Sequence, residues 1–480
     1  MVRATPRARF VGGTLVLERV PRSVAPPDPF QWVNAKWRCP AVYYRLALDW
    51  FERLGVRNTV PRWRSLNLAL RDQRPLHDYQ AHALRAWLAG GCWGSVVLPT
   101  GAGKTFLALH AIARTGASSL VVVPTLDLLH QWYACLDNAF GIPIGVWYGG
   151  EKRLEPVTVT TYPSAWAHAE TLGNQFKLLI FDEIHHLPAP SWHEIALMCA
   201  APYRLGLTAT YPTSPPDWAY GEKVQLRPFS AAVQDPAALL DELVGPVVYR
   251  KEIDDLTGEQ LAEYRTLRIR VDLTPEERAA YDAAYATYTG YVREAGLRER
   301  YGSGWWDALT RRSAFEVRAR RAKVAELKLK GIVHQAQGKL EVLDQLLREH
   351  RDNRMLIFTA HNRLAYEISR RHLIPVITHQ TAAAERKAIL DGFRAGHYRA
   401  IVTSRVLNEG VDVPEAKIAV ILGGSASARE YIQRLGRVLR KQGNAQAVLY
   451  EVIARKTVDE GIAQRRQPRK AGRMEGWKDG

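Results

Sequence analysis

The chain is 480 residues long, 47% of them apolar, and carries a formal charge of +17 from 66 Lys and Arg against 49 Asp and Glu. Such a length holds two or three domains with real cores, and such a charge favours a polyanionic partner, nucleic acid first of all. Composition also excludes several classes: no apolar run approaches the roughly 18 residues of a spanning helix, the N-terminus lacks a signal-type apolar stretch, and Cys39, Cys92, Cys135 and Cys199 form no C-x-x-C pair for a zinc ribbon or iron–sulfur cluster. Sparse, unpaired Cys suits a reducing cytoplasm.

Residues 1–75 form a first basic region, with 14 basic and 5 acidic residues. TLVLERV (14–20) reads as a strand, SVAPPDP (23–29) as a turn or loop, and AVYYRLALDWFERLG (41–55) as a helix. Trp32, Trp37, Trp50 and Trp63 sit among the basic residues. Trp so interleaved can stack on bases, but core packing is the favoured reading.

Residues 76–250 alternate short apolar runs with helical segments. The runs are SVVLPT (95–100), SLVVVPT (119–125), VTVTTY (157–162), LLIFDE (178–183) and RLGLTAT (204–210). This is the pattern of a parallel α/β sheet. After the first run comes LPTGAGKT (98–105), between a buried strand and FLALHAIART, which has helical periodicity. Strand, Gly-rich turn and helix are the setting of a phosphate-binding loop. Thr100, Gly101, Ala102 and Gly103 would close backbone N–H groups on phosphate oxygens, Lys104 would reach the β- and γ-phosphates, and the Thr105 hydroxyl would hold Mg2+. Leu98 stands where the general pattern has Gly. The second half of an ATP site is expected at KLLIFDEIHHL (177–187). At the end of that strand Asp182 would bind Mg2+ through water, and Glu183 would orient or deprotonate the attacking water. His185 and His186 are adjacent, so in an extended segment their side chains diverge; they read as coupling or structural residues rather than zinc ligands.

Next comes a different kind of segment. DLTPEERAAYDAAYATYTGY (272–291) opens with Thr274 and Glu277 at capping-box spacing and Pro275 in the first turn. Residues 293–330 carry 11 basic and 5 acidic residues, with Trp305 and Trp306 in a GSGWW turn. The whole reads as a helical arm, either a solvated basic pair or a grip on duplex nucleic acid. A second alternating block comes after it: MLIFTA (355–360), PVITH (375–379), AIVTS (400–404), KIAVIL (417–422) and AVLYEVI (447–453). TSRVLNEGVDVP (403–414) has Gly410 for a tight turn, and Asp412, which either accepts from ribose or pairs with an arginine. In EYIQRLGRVLR (430–440), Gln433 and Arg434 begin a helix on which Arg437 and Arg440 share a face, as arginine fingers would. RRQPRKAGRMEGWKDG (465–480) reads as a basic tail.

Taken in order, LHDYQ (76–80), LPTGAGKT, VVPTLDLLHQW (122–132), DEIHH, LTAT (207–210), LNEGVDVP and QRLGRVLR resemble a superfamily-two helicase over about residues 76–455. Within that superfamily, GNQFKLLIFDEIHHLPAPSW (173–192), IPVITHQTAAAERKAILDGFRAGHYRAIVTS (374–404) and SASAREYIQRLGRVLR (425–440) are similar to XPB-type repair helicases of archaea and bacteria. The resemblance implies an α/β fold of two RecA-like parallel-sheet lobes. It implies an N-terminal damage-recognition-like domain at 1–75, lobe 1 at 76–250 and lobe 2 at 251–464, with a helical thumb-like insertion at 275–332 and the basic tail at 465–480. It also implies roles. Gln80 would read adenine; Thr208 and Thr210, with Gln433, would couple ATP state to DNA grip; Pro124, Thr125, Thr161, Thr403 and Ser404 would bond DNA phosphates. The activity implied is ATP-dependent, three-prime to five-prime movement on and opening of DNA in repair, in a nucleoid-associated protein. A structure-specific nuclease is the implied partner. One departure stands out: XPB relatives carry an Arg-Glu-Asp triplet soon after LTAT, and none occurs in this chain, where YPTSPPDWAYGEK (211–223) takes its place. That favours one alternative, a duplex translocase that does not separate strands; an ATP-gated DNA clamp serving a nuclease is a second. RNA as substrate is a further alternative.

Overall fold

The computed structural model describes residues 5–189, 191–212, 235–256, 264–404, 416–423, 447–465 and 478–479. The chain divides into two compact units, with the division at Glu252 and Ile253.

The first unit begins with a small sheet. Strands β1 (Arg7–Val11), β2 (Thr14–Glu18), β3 (Gln31–Val33) and β4 (Lys36–Pro40) are followed by helix α1 (Tyr44–Arg53) and β5 (Arg57–Asn58). The sheet order is β3-β4-β2-β1-β5, antiparallel except for the β1–β5 pair. Its core takes Leu15 and Leu17 from β2 and Tyr44, Ala47, Trp50 and Phe51 from α1, with Trp37 and Trp63 packed against it. Three of the four tryptophans therefore fill a core, as the favoured reading expects. Hydrogen bonds tie this sheet to the remainder of the first unit: Asn174 Nδ2 donates to Val60 O at 2.8 Å, and Tyr43 Oη donates to Glu242 at 2.6 Å. Two guanidinium groups, Arg45 and Arg204, lie 5.4 and 5.0 Å from the ring of Trp93.

An eight-stranded sheet is next. In chain order come α2 (Asp78–Ala89), β6 (Trp93–Val97), α3 (Lys104–Thr115), β7 (Ser119–Val123), α4 (Leu126–Phe140), β8 (Gly145–Tyr148), β9 (Glu151–Arg153), β10 (Val157–Thr161), α5 (Tyr162–Ala167), α6 (Ala169–Leu172), β11 (Leu178–Asp182), α7 (Glu194–Met198), β12 (Tyr203–Thr208), α8 (Pro236–Leu243) and β13 (Val247–Arg250). The order is β13-β6-β12-β11-β7-β10-β8-β9, and every pair is parallel except the β8–β9 hairpin. Each of the five predicted runs is a strand here. Strands β7, β10 and β11 are buried along their whole length, and β7 and β11 accordingly carry the apolar runs LVVV and LLIF. The buried Arg204 of β12 donates to Ala201 O, Leu243 O and Cys199 O and so ties the strand to its flanking segments; burial pushes its pKa down to about 10.

The second unit opens with α9 (Ile253–Leu256) and β14 (Tyr264–Val271). The arm is built of α10 (Pro275–Glu294), α11 (Leu297–Tyr301), α12 (Trp305–Phe315) and α13 (Val317–His334). The capping box forms: Glu277 N donates to Thr274 Oγ1 at 3.2 Å, and Thr274 N to Glu277 Oε2 at 3.0 Å. Trp305 and Trp306 lie not in a turn but in the first turn of α12, after a 3-10 turn over Gly302–Gly304. They help pack a core of the arm's own, and Lys323 Nζ sits 3.3 Å from the Trp306 ring centroid. Then come α14 (Gln337–Glu349), β15 (Met355–Thr359), α15 (Asn362–His372), β16 (Val376–Ile377), α16 (Ala383–Ala395), β17 (Ala400–Ser404), β18 (Ile418–Ile421), β19 (Ala447–Ala454), a helix over Val458–Arg465 and β20 (Lys478–Asp479). This seven-stranded sheet has the order β16-β17-β15-β18-β19-β14-β20 and is parallel throughout. Two elements depart from expectation. Strand β14 (YRTLRIRV) holds three arginines, and Arg268 is carried into the sheet by Glu451 of β19 at 3.0 Å. At the far end, Lys478–Asp479 of the expected tail pairs with Ile269–Arg270.

Candidate active site

The site lies at the carboxyl ends of β6, β11 and β12, where an open parallel sheet exposes a crevice to ligands. Between β6 and α3 the loop turns through Gly101 and Gly103, at φ +87° and +72°, a conformation that favours residues without a Cβ. Space reinforces the choice at Gly103, where a Cβ would run into Gln80 Nε2. Lys104 starts α3, and its Nζ donates to Leu98 O (3.1 Å) and Pro99 O (3.3 Å), so the ammonium lies inside the loop. Thr100 Oγ1 is buried without a hydrogen-bond partner.

Gln80 is 2% exposed, and its amide braces this loop. Nε2 donates to Ala102 O at 3.0 Å and Gly103 O at 3.3 Å, while Oε1 accepts from His77 N at 3.0 Å in a capping box on α2. Tyr79 Oη adds a bond to Ala102 O at 3.0 Å.

Asp182 ends β11 and is 6% exposed. Its Oδ2 accepts from Trp132 Nε1 at 2.8 Å, and its Oδ1 from the Glu183 N–H at 3.0 Å. Burial raises its pKa; the Trp132 bond, the Lys104 charge, the Glu183 N–H and His186 oppose that without cancelling it. A carboxylate that has lost water and gained no ion pair is suited to a cation. Each oxygen accepts one hydrogen bond and keeps a further lone-pair direction. The donors present therefore fit a triphosphate with a divalent cation: left-handed glycines, an orphaned hydroxyl, an ammonium, and a buried carboxylate close enough to feel it.

Glu183 comes next, at φ +49° and ψ +54°, a left-handed position for a residue with a Cβ, which costs about 1–3 kcal/mol where it occurs. The turn swings its carboxylate beside His185, with Oε2 3.4 Å from Nδ1. Residues Ile184–His186 form a 3-10 turn rather than an extended segment. The His185 and His186 rings accordingly do not diverge: their centroids are 4.4 Å apart. His185 Nδ1 is 3.0 Å from Thr208 Oγ1, which in turn bonds Thr210 O (2.9 Å) and Thr210 N (3.1 Å). Thr210 Oγ1 is buried without a partner. A continuous polar chain thus runs from Glu183 to the end of β12.

The residues expected along a nucleic-acid track are in two groups. Pro124 and Thr125 come directly after β7, and Thr161 ends β10, its parallel neighbour. Both threonines cap helices: Thr125 Oγ1 accepts from Leu128 N, and Thr161 Oγ1 from Ser164 N. In the second unit Thr403 and Ser404 end β17 but are 1% and 2% exposed. The Ser404 hydroxyl bonds Asn362 Oδ1, and Thr403 O accepts from Thr359 Oγ1, so these groups are turned into their own unit. Gly410, Asp412, Gln433, Arg434, Arg437 and Arg440 lie outside the described residues, as does the segment 213–234 after LTAT.

Two site residues, Trp132 and Tyr162, close the quoted segments VVPTLDLLHQW and VTVTTY but receive no role from the motifs. Trp132 falls on the buried face of α4 with Leu129 and Leu136. Tyr162 donates from Oη to Asp182 O at 3.1 Å and is fully buried. A buried indole or phenol needs an acceptor, which is the one signal the sequence holds; the acceptor lies 50 residues away for Trp132 and 20 for Tyr162.

Comparison with known proteins gives a consistent picture. The family described as Type III restriction enzyme, res subunit, matches residues 73–213, and the Helicase conserved C-terminal domain matches residues 338–442. The chain is 40% identical over 398 residues to the DNA 3'-5' translocase XPB2 of Sulfurisphaera tokodaii, covering 83% of this chain and 86% of that protein. It is 30% identical over 406 residues to the DNA 3'-5' helicase XPB of Mycobacterium tuberculosis, covering 82% of this chain but 63% of the relative. Among solved structures, the helicase domain of Pyrococcus furiosus Hef superposes with a TM-score of 0.52 at 19% identity, covering 83% of this chain and 99% of that one, a likeness of fold.

Proposed function

The chain belongs to the family of XPB-type DNA 3'-5' translocases and helicases, and from that premise we propose that it is a DNA-dependent ATPase that moves three-prime to five-prime on DNA and opens it during repair. The observation that carries this reading is the convergence of Lys104 and Asp182, with Glu183 beside them, on one edge of a parallel sheet.

In this reading the loop N–H groups of 101–103 and Lys104 bind the phosphates. Asp182 and Thr105 hold a divalent cation, which when bound neutralises charge on the transferring phosphoryl group. Glu183 accepts the proton of the attacking water. Arg437 and Arg440 supply positive charge to the same group as fingers. Gln80 links the adenine end to the loop, since the amide that would read the base is the one now bonded to Ala102 O and Gly103 O. Thr125 and Thr161 meet DNA phosphates without reading sequence, whereas Thr403 and Ser404, buried in their own unit, do not serve as contacts; binding is sequence-independent and weakens with salt. A nuclease specific for DNA structure is the proposed partner, and the nucleoid the proposed place of work.

A second reading has its own support. No Arg-Glu-Asp triplet comes after LTAT, and one relative is named a translocase. On that reading the motor pumps along duplex DNA without parting strands. Hydrolysis stimulated by single-stranded, duplex and forked DNA, and not by RNA, tests the shared part. Strand displacement beside triplex displacement separates the two: activity in both assays supports the helicase, and triplex displacement alone supports the translocase. Absence of DNA stimulation overturns both.

A further inference from the structure

Asp182 is held from behind by two aromatic donors, and each belongs to a segment that starts at an expected DNA contact. Trp132 lies in α4, the helix capped by Thr125, and its indole N–H bonds Asp182 Oδ2 at 2.8 Å. Tyr162 is the residue after Thr161, and its hydroxyl bonds the Asp182 main-chain O at 3.1 Å. The three strands concerned are neighbours in the order β11-β7-β10. Neither ring has room to drift. Trp132 is 2% exposed, and Tyr162 stacks on Phe181 (6.2 Å, 22°) and Trp192 (5.3 Å, 17°). Phenylalanine would satisfy apolar packing at position 162 and, short of the volume of the indole's second ring, at position 132. What Trp and Tyr add is one donor each, and both donors are spent on Asp182.

We propose that Trp132 and Tyr162 are positioning residues that couple occupancy of the DNA track to the setting of the Asp182 carboxylate. The inference rests on the proposed function, which puts Thr125 and Thr161 against DNA phosphates. α4 is a 15-residue helix and moves as a rod, so a grip on its first turn shifts the indole two turns on. Hydrogen bonds weaken steeply with angle, and a small rotation of α4 re-aims Oδ2. Tyr162 holds the Asp182 backbone fixed against that rotation, so that the side chain rather than the strand responds. Coupling of this kind is reciprocal: DNA tightens nucleotide binding by the same factor by which nucleotide tightens DNA binding.

The test uses the full chain with Trp132→Phe, Tyr162→Phe and the double variant, each compared with wild type in thermal unfolding. Fluorescence anisotropy gives the dissociation constant for a labelled duplex with and without Mg2+ and a non-hydrolysable ATP analogue. The ratio of the two is the coupling factor, about 5- to 150-fold for ordinary allosteric pairs. The expected result is a factor that falls towards one in both single variants, with nucleotide-free DNA affinity at the wild-type value, and a parallel fall in stimulation of hydrolysis by DNA. Tyr162→Phe removes one oxygen only and keeps the test valid should Trp132→Phe fold poorly. Trp192→Phe disturbs the same aromatic stack and should keep wild-type coupling. Wild-type coupling in the Trp132 and Tyr162 variants overturns the inference and leaves the proposed function standing, as does an equal loss in Trp192→Phe. A coupling factor of one in wild type, with no DNA-stimulated hydrolysis, overturns both.

Discussion

Each unit sets a lysine near a buried aspartate, and the two use the pair in opposite ways. In the second unit Lys339 of α14 and Asp459 are 1% and 2% exposed and meet at 2.6 Å. Further polar contacts complete the pair: Lys339 Nζ donates to Leu422 O at 2.8 Å, and Asp459 Oδ2 accepts from Ala454 N at 3.1 Å. In the first unit Lys104 and Asp182 sense each other's charge but do not touch. Lys104 turns to two loop carbonyls, and Asp182 to an indole and a backbone N–H. A closed pair neutralises itself and serves the fold. An open pair keeps both charges available, at a cost in stability, for a ligand that carries both signs.

Breaking the closed pair should have the largest effect on stability. Lys339→Ala strands the Asp459 carboxylate in the core, and removal of one partner of a buried pair costs about 3–5 kcal/mol. Denaturant titration of the full chain should show that loss in the second unit's transition. Opening the other pair further should instead cost activity. On the proposed function, Lys104→Ala removes a charge aimed at the transferring group, and loss of one such donor lowers turnover by roughly 10²–10³-fold. Its unfolding transition should stay near wild type, because the lost partners are two neutral carbonyls and not a paired carboxylate. Glu183→Gln should bind nucleotide and fail to turn it over. If Lys104→Ala unfolds as readily as Lys339→Ala, the contrast between the two pairs is wrong.

This contrast could be read only in part before the structure. Lys104 and Asp182 were legible because they sit at fixed offsets from a Gly-rich turn and a buried strand, and parallel central strands leave unbroken apolar runs such as SLVVV and LLIF. Lys339 and Asp459 were not, since 120 residues separate them and neither belongs to a local pattern. Strand β14 was missed for the same reason: Arg268 makes the segment look exposed until Glu451 of β19 is set beside it. The edge strands β9 and β13, and β8 beside β9, are short or partly exposed and carry a weak signal. The turn at Glu183 was read as extended, because a left-handed glutamate has no sequence mark. Local chemistry with a fixed spacing can be read from a chain, whereas partners chosen by the fold cannot.

The smallest predicted change sharpens the comparison most. Thr208 carries a single hydroxyl hydrogen, and Thr210 O at 2.9 Å takes it. The remaining contacts of Oγ1, with Thr210 N and His185 Nδ1, must then be acceptances, so His185 carries its hydrogen on Nδ1 and presents it between Thr208 Oγ1 (3.0 Å) and Glu183 Oε2 (3.4 Å). Thr208→Val keeps the shape, leaves the Thr210 N–H without its acceptor and Thr210 O without its donor, and costs about 1–3 kcal/mol. Its more telling effect should be functional: with the Thr208 oxygen gone, the His185 Nδ1 hydrogen turns to Glu183, the glutamate is drawn towards it, and stimulation of hydrolysis by DNA falls. Thr208→Ser should restore the stimulation, because it restores the oxygen. Should Thr208→Val keep wild-type stimulation while losing stability, the Glu183–His185–Thr208 chain belongs with Lys339 and Asp459 as a device of the fold, and the open state of the first pair is all that distinguishes the working unit.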